Sequence, residues 1–301
     1  MRRFAVLVRS AALEALAEPL SAILFLVALV AVHVLPSFHF HQFGEPGRLP
    51  RECGFSALLV FGLAFATSAA VHAVGRELES GTAAMALSRP VPRPLFFCAK
   101  VAGVFAALAL FGAAVACATV LSVASSEMGR LVTNGGVYVW GPGIVSGAGL
   151  TLFAFALAAL ANWRWRVRFC VAACLLMAVA QPVALVAVAG LVKIPFEWGL
   201  LPALGVLAAG CAALVAMAGA CAVVLRPAAV AAALFVAVAL SFLHPVRAVL
   251  PDIQRFWLVD SFAGGGTASV PDMLAAGASG VFLVAFWLVA GSALLSRKEI
   301  S

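Results

Sequence analysis

Charge is what this sequence has least of. Only 10% of its 301 residues are Asp, Glu, Lys or Arg, while 65% are hydrophobic and the mean hydropathy is +1.14. Soluble domains average about 25% charged and 45–50% apolar. A soluble globule is therefore excluded, because there is too little polar surface to cover a core. Also missing are ionisable groups in the middle of the long apolar runs, which pumps and ion-coupled carriers normally need. No nucleophile, base and acid converge in the pattern, so no enzyme activity is expected. No G-x-x-x-x-G-K-[ST] loop is present, and Gly264-Gly265-Gly266 lacks the Lys and Ser/Thr of that spacing. The chain is thus expected to bind no ATP of its own in that way. A disulfide framework is not expected either. Cys98, Cys117, Cys170, Cys174, Cys211 and Cys221 lie in or against apolar runs, where cysteine behaves as a small hydrophobe, and only Cys53 sits near water. Cys170 and Cys174 share a helical face but have no further ligands beside them for a metal.

What is present is length in the apolar runs. About 20 such residues span a bilayer core, and eight runs qualify, near 19–37, 54–74, 95–124, 143–162, 169–192, 200–225, 228–246 and 274–296. Ala, Gly, Leu, Val and Phe dominate them, which predicts helices and not barrel strands. The expected fold is an all-α polytopic membrane protein of about eight transmembrane helices, with six or seven plus re-entrant segments as the alternative. It forms one transmembrane domain over residues 1–301, with no soluble domain.

Orientation follows from Lys and Arg placement. With the N-terminus inside and the spans alternating, the inner face holds Arg2, Arg3, Arg9, Arg76, Arg89, Arg93, Lys100, Arg164, Arg166, Arg168, Arg226, Arg297 and Lys298. The outer face holds Arg48, Arg51, Arg130, Lys193, Arg247 and Arg255. Both termini are therefore expected in the cytoplasm. The net charge of +7 reads as a topology signal and not as a nucleic-acid footprint.

The first 18 residues read as an amphipathic interfacial helix, with Phe4, Leu7, Val8 and Ala11 on one face and Arg3, Ser10 and Glu14 on another. A frayed basic tail is the alternative. Glu14 and Glu18 argue against a cleaved signal peptide. The longest outer loop, 247–273, carries Phe256 and Trp257, which mark a short interfacial or re-entrant helix. The inner string Trp163-Arg164-Trp165-Arg166-Val167-Arg168 reads as an interface anchor, its tryptophans at headgroup level and its arginines toward anionic lipid. His33, His72, His244 and Gln181 are the notable polar groups of the spans, each expected to hydrogen-bond between helices or at an interface. Pro182 beside Gln181 is expected to kink its span and free a carbonyl. His39 and His41, alternating in an outer loop, are a weak metal candidate without a third ligand.

The most informative stretch is 75–100, an island of charge and proline between two apolar runs. Such charge is expected to lie in water. The second span is expected to run on helically to Glu79, where Ser80-Gly81 breaks it. Ser80 or Thr82 then caps a short helix through Met85 and Leu87. Pro90, Pro92 and Pro94 hold the return rigid until the third span begins. A rigid cytoplasmic element of this kind suits docking. An ordinary juxtamembrane loop obeying the positive-inside rule suits it as well.

Glu77, Glu79, Gly81, Thr82, Leu87, Ser88, Arg89, Pro90, Val91, Pro92, Arg93 and Lys100 form a pattern that resembles the permease subunits of ABC-2-type ATP-driven transporters. Arg9, Glu14, Pro19 and Pro36 fit that family's opening helices, and Leu250-Pro251-Asp252-Ile253-Gln254 with Phe256 and Arg297-Lys298-Glu299 fit its closing section. The nearest branch is the one of multi-copper-enzyme maturation. Matches span roughly the first 110 and last 75 residues; eight spans against the family's frequent six is a departure, and the hairpin near 143–192 is the extra part. The resemblance implies an exporter in the inner (cytoplasmic) membrane. Two permeases, copies or paralogues, would pair with cytoplasmic ATPase subunits that use the ATP, and no cofactor is bound directly. It also implies ATPase coupling through Glu77, Glu79, Gly81, Thr82, Met85, Leu87, Arg89, Pro90 and Arg93. An ion-coupled secondary transporter and a non-transporting mechanotransmission or assembly subunit are the alternatives.

Overall fold

The computed structural model describes residues 2–38, 47–79, 92–132, 142–191, 196–241, 250 and 252–298. All regular structure among them is helical. The order is α1 (Arg2–Ala17), α2 (Pro19–Val34), a 3-10 turn (Leu35–Phe38), α3 (Arg48–Ala70), α4 (Arg93–Val132), α5 (Pro142–Trp165), α6 (Phe169–Leu191), α7 (Leu200–Ala222), α8 (Pro227–Leu240), α9 (Ile253–Phe256), a 3-10 segment (Val259–Gly265) and α10 (Val270–Arg297). Helix α3 does not stop at Ala70. It continues through a π-helical stretch, Val71–Arg76, and a last α-turn, Glu77–Glu79.

Pro94 sits second in α4, where the third span is expected to begin. Pro19, Pro227 and Pro271 likewise occupy first-turn positions of α2, α8 and α10. Ser269 caps α10, its hydroxyl accepting from the Asp272 amide at 3.2 Å. Helix α6 runs through Pro182, and because proline has no N–H, one carbonyl a turn earlier has lost its helical donor.

Each of the eight apolar runs is mainly helical where it is described, but eight crossings do not follow. Five helices are long and apolar enough to cross a membrane: α3 with its extension, α4, α6, α7 and α10. The pair α1 and α2, bent by 68° at Glu18, makes a sixth if counted as one span. Helix α8 has 14 described residues, roughly 21 Å of rise against a core of about 30 Å. Helix α5 runs for 24 residues and carries one charge, Arg164, in its last turn.

Helix α4 is the axis of the bundle and contacts α1, α2, α3, α5, α6, α7 and α10. Its most apolar stretch is 67% buried, against 17% for α10, which lies along α7 and presents most of its surface outward. A lipid-exposed helix needs no polar face, since hydrocarbon is the solvent. Phe25, Phe65 and Phe111 lock α2, α3 and α4 together, with ring centroids 5.0 to 5.9 Å apart and all three fully buried. Helix α1 is held against α4 at Gly103, where a Cβ would come within 2.4 Å of the Ala11 Cβ. Only glycine allows that approach.

Candidate functional site

The π-helical end of α3, the start of α4 and helix α1 meet at one end of the bundle, and charge collects there. Lys100 lies two turns into α4 with its side chain only 3% exposed. Its ammonium donates to Glu77 Oε1 at 2.6 Å and to Glu14 Oε2 at 2.8 Å, and stands 5.9 Å from the Phe96 ring centroid. Beside it, His72 Nδ1 lies 2.7 Å from Glu18 Oε1, and Arg76 reaches the same carboxylate at 3.7 Å. Ser10 donates to Glu14 at 3.2 Å. Six ionisable groups from α1, α3 and α4 thus form one cluster.

The local reason is geometric. Glu14 and Glu18 are one turn apart on α1 and its exit, and the 68° bend at Glu18 turns both toward α3 and α4. A π-turn holds one residue more than an α-turn over the same hydrogen bond and shifts the facing of whatever follows. Glu77 follows it directly and faces Lys100. A buried ammonium is tolerable only with counter-charges and hydrogen bonds around it, and two carboxylates supply both.

Of the described charges of 75–100, Lys100 departs from the expectation that they lie in water: its side chain is enclosed and two carboxylates take the place of water, while Arg76 stays exposed. Arg93 is engaged as well, its guanidinium donating to the carbonyls of Ser296 and Lys298 at 3.1 and 3.0 Å at the end of α10. Lys298 donates to the Val223 carbonyl at 2.5 Å, closing the same end onto α7. Glu79 ends the described helix. Gly81, Thr82, Met85, Leu87, Arg89 and Pro90 lie outside the described residues, as do the expected short helix, His39, His41 and His244. Lys100, Glu14 and Glu18 were not among the expected coupling residues. A lone lysine inside an apolar run was their signal, because it must find an anion.

A second polar cluster joins α2, α5 and α6. Gln181 Nε2 donates to Thr151 Oγ1 at 2.6 Å, and the Thr151 hydroxyl donates to the Gly147 carbonyl at 2.7 Å. Gln181 Oε1 then accepts from His33 Nε2 at 3.0 Å. That order of donors assigns the proton to Nε2. His33 Nδ1 has no partner among the described residues. The imidazole lies on Gly147, where a Cβ would meet its ring at 2.3 Å. The expected interhelical bonding of His33 and Gln181 is thus present, with Thr151 as the third member. At the far end from Lys100, Arg51 donates to the Phe262 carbonyl at 2.5 Å and pairs with Glu197 at 3.2 Å. That bridge ties α3 to the approach to α7 and to the 3-10 segment, while Phe256 of α9 wedges between α7 and α10 at Gly210 and Gly280.

All seven cysteines are free thiols. Among the described residues no three His, Cys, Asp or Glu side chains converge as a metal site. The described residues are all-helical, and five or six of their helices are long and apolar enough to cross a membrane, consistent with a multi-pass membrane protein. No protein-family model matches the chain, and searches of curated proteins and of solved structures return no match.

Proposed function

We propose that the chain is the membrane-spanning permease subunit of an ABC-2-type ATP-driven transporter, moving its cargo with energy from a separate cytoplasmic ATPase. The observation that carries this reading is how the charged insert is anchored. Its first described end, Glu77, and its far end, Lys100, bind each other and helix α1. Arg93 binds the end of α10. A displacement of the intervening segment would therefore reach α1, α3, α4 and α10 together, which is what a coupling element has to do.

The remaining assignments follow from the same reading. The Lys100 end is the cytoplasmic end, in keeping with the bias of Lys and Arg toward it. Helix α1 lies along the inner interface of the cytoplasmic membrane. A second permease pairs with this one, and ATP closure of the ATPase dimer selects between two packings of the helices. Glu79, Gly81, Thr82, Met85, Leu87, Arg89 and Pro90 make the docking contact. Glu77 and Arg93 carry the displacement inward.

The test is co-purification with an ABC ATPase co-expressed with this chain. Met85→Ala/Leu87→Ala/Arg89→Ala is expected to abolish binding and ATPase stimulation while leaving the permease folded. Retained binding with unchanged stimulation rejects the docking role. Uptake or efflux in vesicles that needs an ion gradient and no ATPase would favour a secondary transporter. ATPase-coupled movement without cargo transfer would favour a mechanotransmission subunit.

A further inference from the structure

The turn between α5 and α6 has no part in the coupling scheme. Trp163, Arg164 and Trp165 form the last turn of α5, and Arg166, Val167 and Arg168 lead into α6. All six are exposed, Trp163 at 81% and Trp165 at 67%. The turn is preformed. Arg166 sits at φ 53, in the left-handed region, which costs a non-glycine residue energy. Asn162 closes the turn by donating to the Val167 carbonyl at 2.7 Å, and the Arg166 amide donates to the Asn162 carbonyl at 3.0 Å. Among the described residues none of the three guanidiniums has a carboxylate partner.

We propose that this turn is a binding site for anionic phospholipid headgroups, in which the three arginines hold phosphate and the two tryptophans set the depth. The order of chemistry along α5 argues for lipid over a soluble anion. Leu152, Phe153, Leu157 and Leu160 form an exposed apolar face, the tryptophans follow, and the arginines come last. From Leu152 to Arg164 the helix rises roughly 18 Å. That is about half a bilayer core plus the start of the headgroup layer, so the hydrocarbon, interface and phosphate zones meet the residues suited to each. Arginine's planar fork binds phosphate oxygens in pairs. A turn already closed gives up little conformational freedom on binding. The site lies at the same end as the Lys100 cluster, since α1 packs on α6 and the Cys174 thiol reaches the Leu16 carbonyl at 3.9 Å. It is a place where lipid composition touches that end of the bundle.

The test uses the full chain, stripped of lipid in a neutral detergent and offered phosphatidylglycerol or phosphatidylcholine in mixed micelles. Lipid retained after gel filtration is the readout. Wild type is expected to prefer phosphatidylglycerol. Arg164→Gln/Arg168→Gln should cut that preference roughly 10- to 30-fold at low ionic strength, about three- to fivefold per arginine. Arg164→Lys/Arg168→Lys should fall between the two. Arg226→Gln/Arg297→Gln, which removes two other exposed cations, should leave it intact. Equal retention by the Arg164/Arg168 variant, or equal loss in the Arg226/Arg297 control, would overturn the site. Displacement of phosphatidylglycerol by millimolar inorganic phosphate would overturn the choice of lipid as occupant.

Discussion

Two buried cations, one at each end of the bundle, are held in different ways. Lys100 is gripped by two side-chain carboxylates, both from helices that lie near it in the chain or pack directly on it. Arg51 is gripped by one carboxylate and one backbone carbonyl, from segments 146 and 211 residues away. The Lys100 end gathers three carboxylates: Glu14 and Glu77 on Lys100, and Glu18 on His72 and Arg76. The Arg51 end instead uses a backbone carbonyl of the 3-10 segment beside one carboxylate, with the Arg48–Glu52 pair nearby. One end is a junction of side chains beside the charged insert. The other is a clasp that closes the first half of the chain onto the second.

Removing the cations should separate the two. Lys100→Ala removes the cation that Glu14 and Glu77 share, and breaking a buried pair costs about 3–5 kcal/mol. Glu14 keeps half its side chain in solvent, so the lower end of that range is expected. The measurement is the thermal midpoint in detergent together with protease cleavage of α1, which should become accessible. If α1 stays protected, the junction does not depend on Lys100. Arg51→Ala should cost less, about 2–3 kcal/mol, because it removes one carboxylate contact and one carbonyl contact. Its signature is cleavage in the 253–265 region with α1 still protected. Cleavage of both regions in either variant would show that the ends are one cooperative unit.

Packing gives a smaller perturbation, confined to the side of the bundle that α2, α5 and α6 share. Gly147→Ala puts a methyl into the His33 ring, and overpacking of this kind costs about 1–3 kcal/mol. The expected result is a lowered midpoint and a loosened hairpin of α5 and α6, with the Lys100 contacts intact. Protection of α1 should be unchanged. Loss of that protection would mean that strain travels along α2 to Glu18.

Much of the architecture was legible because hydrocarbon demands long, uninterrupted apolar helices. The eight runs, the proline starts of α2, α4 and α8, the break at Glu18 and the continuation of the second run to Glu79 all follow from residues close together in the chain. The crossings were less legible, because an apolar run does not state whether its helix is long enough or steep enough to span. Pairing was not legible at all. Glu14 with Lys100, Arg51 with Phe262 and His33 with Gln181 are separated by 86, 211 and 148 residues. Which helices pack decides those partners. The π-turn at Val71–Arg76 has no compositional sign, yet it is what points Glu77 at Lys100. Lys100 looked like one more inner-face cation because charge counting cannot tell a solvated lysine from one that two carboxylates have enclosed.

The smallest effect tests whether the His33 cluster is a lock or a passive contact. Gln181→Leu removes the acceptor of the His33 Nε2–H and the donor to Thr151 in one step. Interhelical hydrogen bonds in membranes average about 0.6 kcal/mol and reach about 1.7, so a loss of about 1 kcal/mol is expected. That is well below either cation, because imidazole, amide and hydroxyl are neutral and can re-pair within their own helices. His33→Leu/Gln181→Leu should then cost less than the sum of its single changes, since the double variant leaves no stranded donor at that contact. A double variant as costly as the sum would mean that the two residues act independently. In that case the His33–Gln181 contact would add nothing beyond what each residue contributes alone.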